Sequence, residues 1–273
     1  MPVEDPTDGD NRGRAYDPNE HHHFPDERCN EILTFLESDA ETQALLEAQN
    51  VNAVDRLHYN DHGPTHVSIV RNRALKLYDL LKAGGVSFNG ASQQGLAEAD
   101  EAVIVALAAT FHDVGHVVHR DRHTYYSIPI ANALLDRILP EFYGVVETAK
   151  LKGEVLHAIL CHHSTETPLT TEAGVIRIAD ALDMERGRSR IPYEHGGRGI
   201  NTISSRAIER VSLKPGTEAP VLIEIEMTDA AGVYQVDSLL KSKVEGSGLE
   251  DHLRIVAVKV PGGEEELVER LEL

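Results

Sequence analysis

The sequence predicts a mainly helical protein, a helical bundle over residues 30–200 with a small C-terminal α/β appendage over 201–273. Three observations carry that expectation. The run Ala102–Phe111 has no charge and reads as a helix apolar on every side, which belongs in the middle of a bundle. On both sides of it, apolar residues recur at helical spacing. Only after a Gly/Arg-rich loop does the pattern change to the alternation of half-buried strands.

Taken in order, residues 1–29 read as a flexible, polar, Asp- and Pro-rich arm. It contains His21-His22-His23, which suits either a metal-binding tract or a solvated patch. Ile32, Leu33, Leu36, Leu45 and Leu46 mark one or two helices across 30–58. Pro64 fits the first turn of the next helix, whose stripe runs through His66, Val70, Ala74, Leu77 and Leu81 until Gly84-Gly85 stops it. The stretch GGVSFNGASQQG reads as a loop or short hairpin. The apolar helix spans 100–113, and two more follow: Ser127–Leu139, ended by Pro140, and Val145–His163, ended by HSTETP. Glu172–Glu185 carries Ile176, Ala179, Asp180, Asp183 and Met184 along one side. Beyond GRSRIPYEHGGRG, Pro220–Met227 alternates as a strand, Asp237–Val244 suits a helix and Leu253–Val260 a second strand. That makes a strand–helix–strand unit.

A chain of 273 residues can bury a sizeable core. It carries 26 Lys and Arg, mostly Arg, against 45 Asp and Glu, a formal net charge of -19. Such a surface resembles that of proteins adapted to high salt. It also opposes broad nucleic-acid binding, because phosphate backbones are repelled. Cys29, placed in the arm, and Cys161, on a buried helix, do not suit a structural disulfide, which points to a reducing cytoplasm. No apolar run reaches about 18 residues and the first residues lack signal-peptide character, so no membrane association is expected. Homo-oligomerisation is left open.

The apolar helix ends in His112-Asp113. A buried carboxylate is costly unless it is paired or coordinates a metal. Other candidates stand on apolar faces: His66 on the stripe of Val70 and Ala74, His162 and His163 closing a helix with Leu156, Ile159 and Leu160 inward, and Asp180 four residues after Ile176. A single core histidine is usually a hydrogen-bonded structural residue, but several helices each presenting one point to a metal centre. Imidazole with carboxylate suits Mn, Fe, Ni, Co or Zn, and the lack of Cys ligands argues against structural zinc.

The order of GPTHVSIV, ALAATFHDVGH and VIRIADALDM, over residues 58–186, resembles the HD-domain superfamily of metal-dependent phosphohydrolases. The resemblance implies an HD-type bundle in which His66, His112, Asp113 and Asp180 hold one divalent transition metal. Extra histidines are typical of binuclear members, and here His123, His162 and His163 are the expected ligands of a second metal, with Asp113 bridging. Two such ions about 3.5–4 Å apart activate a water and clamp phosphoryl oxygens, which places Asp113 among the catalytic residues. His116 is assigned to the phosphate or the water, and His119 and His157 to the surface or to supporting roles. YNDHGPTH is similar to the His-Asn-x-x-His segment of cyclic-nucleotide phosphodiesterases, with Gly63 in place of Asn, which makes His62 the expected acid. The other reading of His62 is a cap on the helix opened by Pro64. Arg186, Arg188 and Arg190, with Arg198 and Arg206 further on, suit either substrate phosphate or ordinary salt bridging.

Departures narrow the choice. HHSTETPLT lacks the Gly-Tyr-Pro of cyclic-di-GMP hydrolases, HDVGH lacks the Glu-Asp pair of alarmone hydrolases, and HDVGHVVHRDRH lacks the Pro-Phe of deoxynucleotide triphosphohydrolases. The expected function is hydrolysis of a phosphoester of a nucleotide or other phosphorylated small molecule. A second reading is a catalytically weak nucleotide sensor or interaction protein that uses the same site for ligand binding.

Overall fold

The computed structural model describes residues 27–186, 200–259 and 270–272. The His21–His23 tract, Arg188, Arg190 and Arg198 lie outside the described residues. The helices are α1 (Glu27–Ser38), α2 (Ala40–Asn50), α3 (Pro64–Ala83), α4 (Gly90–Gln93), α5 (Ala99–Phe111), α6 (His123–Ile138), α7 (Val145–Cys161), α8 (Thr171–Leu182), α9 (Ile200–Ser205) and α10 (Lys241–Val244).

Helix α5 is the axis of the bundle. Every residue from Asp100 to Phe111 is buried, and α1, α3, α7 and α8 pack around it. Ile104, Leu107 and Phe111 are wholly inaccessible, so truncating Leu107 to Ala costs about 2–5 kcal/mol. The two carboxylates that open the helix are buried but satisfied. Asp100 accepts from the Ala97 N–H at 2.9 Å and the Tyr143 hydroxyl at 2.8 Å, and Glu101 pairs with Lys82 at 2.9 Å.

Four local expectations change. The stretch after Gly84-Gly85 is a loop with one helical turn, α4, and no hairpin. Its Gly90 and Ala91 N–H groups donate to the buried Glu172 carboxylate at 3.0 and 3.1 Å, which pins the loop to α8. Helix α6 begins at His123, four residues earlier than the apolar pattern suggests. Helix α8 stops at Leu182, so Asp183 lies just past its end rather than within a helix running to Glu185. Cys29 is not in a solvated arm: α1 starts at Glu27 and buries Cys29 on its inner face, and both Cys29 and Cys161 are free thiols.

The C-terminal residues form a four-stranded sheet in the order β1 (Ile208–Pro215), β2 (Val221–Met227), β3 (Leu253–Lys259), β4 (Arg270–Glu272). β1/β2 and β3/β4 are antiparallel, while β2/β3 are parallel, with Ile223 opposite Ile255. The parallel pair requires a crossover, supplied by residues 228–252 with a wide helical turn at Gln235–Leu240 leading into α10. Val221, Ile223, Ile225 and Met227 alternate inward, as the sequence predicts. β1 and β4 were not expected, because β1 buries its middle as a block and β4 is only three residues long. The sheet packs on α3, and its inward residues join the same apolar cluster as the helices. No described helix is long and apolar enough to cross a membrane.

Candidate metal centre

Three helix ends and two helix starts meet at a single point. His112 and Asp113 follow α5, His162 follows α7, and Asp180 sits in the last turn of α8. Helix C-termini carry partial negative charge, each worth about 0.3–1 kcal/mol to a nearby cation. His66 enters from the first turn of α3, which Pro64 opens at the point the sequence predicts. His123 enters from the first residue of α6. Tight packing makes this possible at Gly115, where a Cβ would run into the His123 carbonyl.

The donor atoms fall into two groups. In the first, His66 Nε2 lies 3.2 Å from His112 Nε2, 3.4 Å from Asp113 Oδ2 and 3.6 Å from Asp180 Oδ1. His112 Nε2 lies 3.4 Å from the same Asp113 oxygen and 3.9 Å from Asp180 Oδ1. In the second, Asp113 Oδ1 is 3.2 Å from His123 Nε2, 3.6 Å from His162 Nε2 and 3.7 Å from His116 Nε2. His123 and His162 Nε2 are 3.3 Å apart. Asp113 thus turns one oxygen to each group.

The protonation pattern shows that both groups fit cations. His112 Nδ1 donates to the Ala109 carbonyl at 2.8 Å, His162 Nδ1 to Ile159 at 2.7 Å and His123 Nδ1 to Arg120 at 3.0 Å. A carbonyl only accepts, so Nδ1 carries the proton and each neutral ring turns a lone pair inward from Nε2. Burial holds the His112 and His123 rings neutral, with His112 lowered to about 3 and His123 also lowered. Two inward lone pairs at 3.3 Å repel unless a cation lies between them. Ligands about 2.1 Å from one ion stand roughly 3.0–3.4 Å apart, close to the separations seen here. His66 Nδ1 donates to Asp183 Oδ2 at 2.6 Å, the carboxylate–histidine pairing that fixes metal-ligand tautomers.

The carboxylates are held ionised. Burial works against the charge of Asp180, and Lys243 together with His112 and His162 more than offsets it, so the carboxyl lies far below its ordinary range. Burial likewise opposes the Asp113 charge, while His112, His116 and the His62 N–H hold it well below that range.

Of the expected site residues, His66, His112, Asp113, Asp180, His123 and His162 are brought together. His62 is there too, donating from Nδ1 to Asp113 Oδ2 at 2.8 Å. It does not cap α3, whose N-cap is Gly63 without a side-chain bond. His116 is stacked between His62 and His123, with ring centroids at 4.3 and 4.4 Å. His163 is exposed, 6.0 Å from the His123 ring, and stands at the cleft mouth rather than among the clustered donor atoms. Arg186 is exposed and pairs with Glu209 at 3.3 Å. His157 accepts the Leu169 N–H at 3.0 Å and His119 the Asp121 N–H at 3.0 Å, both structural bonds.

Sequence reasoning missed Lys243, whose ammonium donates to the His162 carbonyl at 2.6 Å and to Asp180 Oδ2 at 3.2 Å. No local signal marks it, because it reaches the site from the C-terminal crossover. Asp183 appeared only as a stripe residue, although its spacing of three from Asp180 was visible. Arg120 and Arg122, which line the cleft, could have been found from their place between His119 and His123.

A buried His, a His-Asp pair at a helix end and a later Asp converge in a cluster that could hold a metal ion. The HD domain family matches residues 85–185, which include His112, Asp113 and Asp180 but begin after His66. An uncharacterised protein of Methanocaldococcus jannaschii is 37% identical over 226 residues, 83% of this chain and 87% of that one. The chain belongs to the HD-domain superfamily, whose members are typically metal-dependent phosphohydrolases. No solved structure matches it significantly.

Proposed function

We propose that the protein is a cytoplasmic, binuclear metal-dependent phosphohydrolase that cleaves a phosphoester of a nucleotide or other phosphorylated small molecule. The observation that supports this most is Asp113, each of whose oxygens faces a separate group of imidazole nitrogens. His66, His112, Asp180 and Asp113 would hold one divalent transition metal, and His123, His162 and Asp113 a second. When bound, such ions activate water and neutralise charge developing on phosphoryl oxygens.

The remaining residues act on the substrate directly. His62 is held by its bond to Asp113 at the wall of the cleft, where it protonates the departing oxygen. His116 has no hydrogen-bond partner at either ring nitrogen and lines the cleft, which suits it to a phosphoryl oxygen. Arg188 and Arg190 are retained as substrate-binding residues in this reading, with Arg186 nearby in sequence. The charge of -19 fits a protein working in concentrated salt.

The test is hydrolysis of p-nitrophenyl phosphate and its bis ester by Mn²⁺-loaded protein. Activity is expected in the wild type and absent in Asp113→Ala. His62→Gln keeps its metal and loses about 10²-fold in kcat. Arg188→Ala keeps its metal and raises KM. Metal-loaded protein that stays inert toward these esters and toward a broad nucleotide panel would replace this reading with that of a ligand sensor.

A further inference from the structure

The cleft over the second donor group has a volume of about 310 Å³, with His116 and His123 at its inner end and Arg120 and Arg122 among its walls. In this acidic chain many cations rest on carboxylates, as Arg137 does on Asp39, Arg73 on Glu185 and Lys152 on Asp136. Arg120 and Arg122 do not: neither has an ion-pair partner among the described residues. Asp121, between them, also lines the cleft, so this segment brings a surplus of one positive charge.

The fold sets the Arg120 side chain and the Arg122 backbone in place. Arg120 lays its guanidinium over the Tyr59 ring, 3.6 Å from the centroid, and its buried Nε has no hydrogen-bond partner. Stacking holds the plane of a guanidinium without consuming its N–H donors. Arg122 is the N-cap of α6 at φ 62°, a left-handed conformation that costs a non-glycine residue about 1–3 kcal/mol. The strain lets α6 begin at His123, so that His123 turns inward to Asp113 and the start of a 16-residue helix opens on the cleft. A helix start favours anions. His116, 1% exposed and with no hydrogen bond at either ring nitrogen, closes the inner end.

Resting on the phosphohydrolase reading above, we propose that Arg120 and Arg122 bind a second, non-scissile phosphate. The scissile group belongs beside Asp113, where cations held by the two donor groups would neutralise it. Two guanidinium groups along the wall then require another anion, and a second phosphate of the same small molecule meets that need. The substrate class is a phosphoester with at least two phosphates, such as a nucleoside diphosphate. A cleft of about 310 Å³ is near the lower limit for small-molecule sites and too small for a polynucleotide.

The test uses two probes that resist hydrolysis, methylenediphosphonate and methylphosphonate, titrated calorimetrically into Mn²⁺-loaded protein with free Mn²⁺ buffered. Wild type binds the diphosphonate at least about tenfold more tightly. Arg122→Gln, and Arg120→Gln combined with it, bring the ratio toward one while metal content and thermal unfolding stay as in wild type. A ratio that persists in both variants assigns the preference to chelation and overturns the proposal. Equal binding of both probes by the wild type also overturns it and leaves the phosphohydrolase reading standing. Binding of neither probe to metal-loaded wild type removes both.

Discussion

Lys243 Nζ stands 3.2 Å from Asp180 Oδ2, on the opposite carboxylate oxygen from the one that faces His66 and His112. Its second bond, to the His162 carbonyl, ties it to the end of α7. A residue of the C-terminal crossover therefore sets the orientation of one candidate ligand and touches the helix end that carries another. Arg177 fastens the crossover in place, donating to the Lys243 carbonyl at 2.9 Å and to the Ser242 and Glu245 carbonyls at 3.4 and 3.3 Å.

Lys243→Met is expected to leave the fold intact and lower Mn²⁺ affinity about 10–100-fold, the usual effect of losing a partner that orients a ligand. Lys243→Arg restores part of it. Equilibrium dialysis with metal analysis checks this, and unchanged affinity in Lys243→Met would show that Asp180 is oriented without the ammonium.

Asp183 and Asp113 should separate by severity. Asp183→Ala removes the acceptor for His66 Nδ1, frees that ring to rotate and weakens metal binding about 10–100-fold. Asp113→Ala removes a donor from both groups and empties the site. Metal analysis after gel filtration distinguishes the two, and equal metal content in Asp113→Ala and wild type would contradict the assignment.

Metal-stripped protein should lose stability on acidification. Burial lowers His112 and His116 to about 3, so the folded state keeps them neutral where the unfolded chain, near 6.5, takes up protons. Their contribution is complete above pH 6.5 and falls progressively toward pH 3. Thermal unfolding in EDTA at pH 8 and pH 5 is expected to show a lower Tm at pH 5. Saturating Mn²⁺ raises Tm at pH 8, because a ligand of the folded state stabilises it.

Salt should act in the opposite direction from its effect on an ordinary ion-paired protein. A charge of -19 repels itself in the compact state, and 1 M salt shortens the screening length to about 3 Å. Tm should rise with KCl, by about 2–4 °C for each kcal/mol of repulsion relieved. A flat or falling Tm between about 0.1 and about 2 M KCl would refute a high-salt adaptation.

The sequence by itself determined the buried α5, the start of α3 at Pro64 and the strand–helix–strand pattern after residue 220, because each is written in local periodicity. It also marked His66, His112, Asp113 and Asp180, since a His or Asp on an apolar face is conspicuous without coordinates. Only the tertiary structure decided how Asp113 divides its oxygens, which of His162 and His163 turns inward, and that Lys243 and Asp183 bond to Asp180 and His66. Those facts depend on where helix ends meet across sequence separations of 63 and 117. Short-range patterns carry no record of such distances, which are set by side-chain packing around α5.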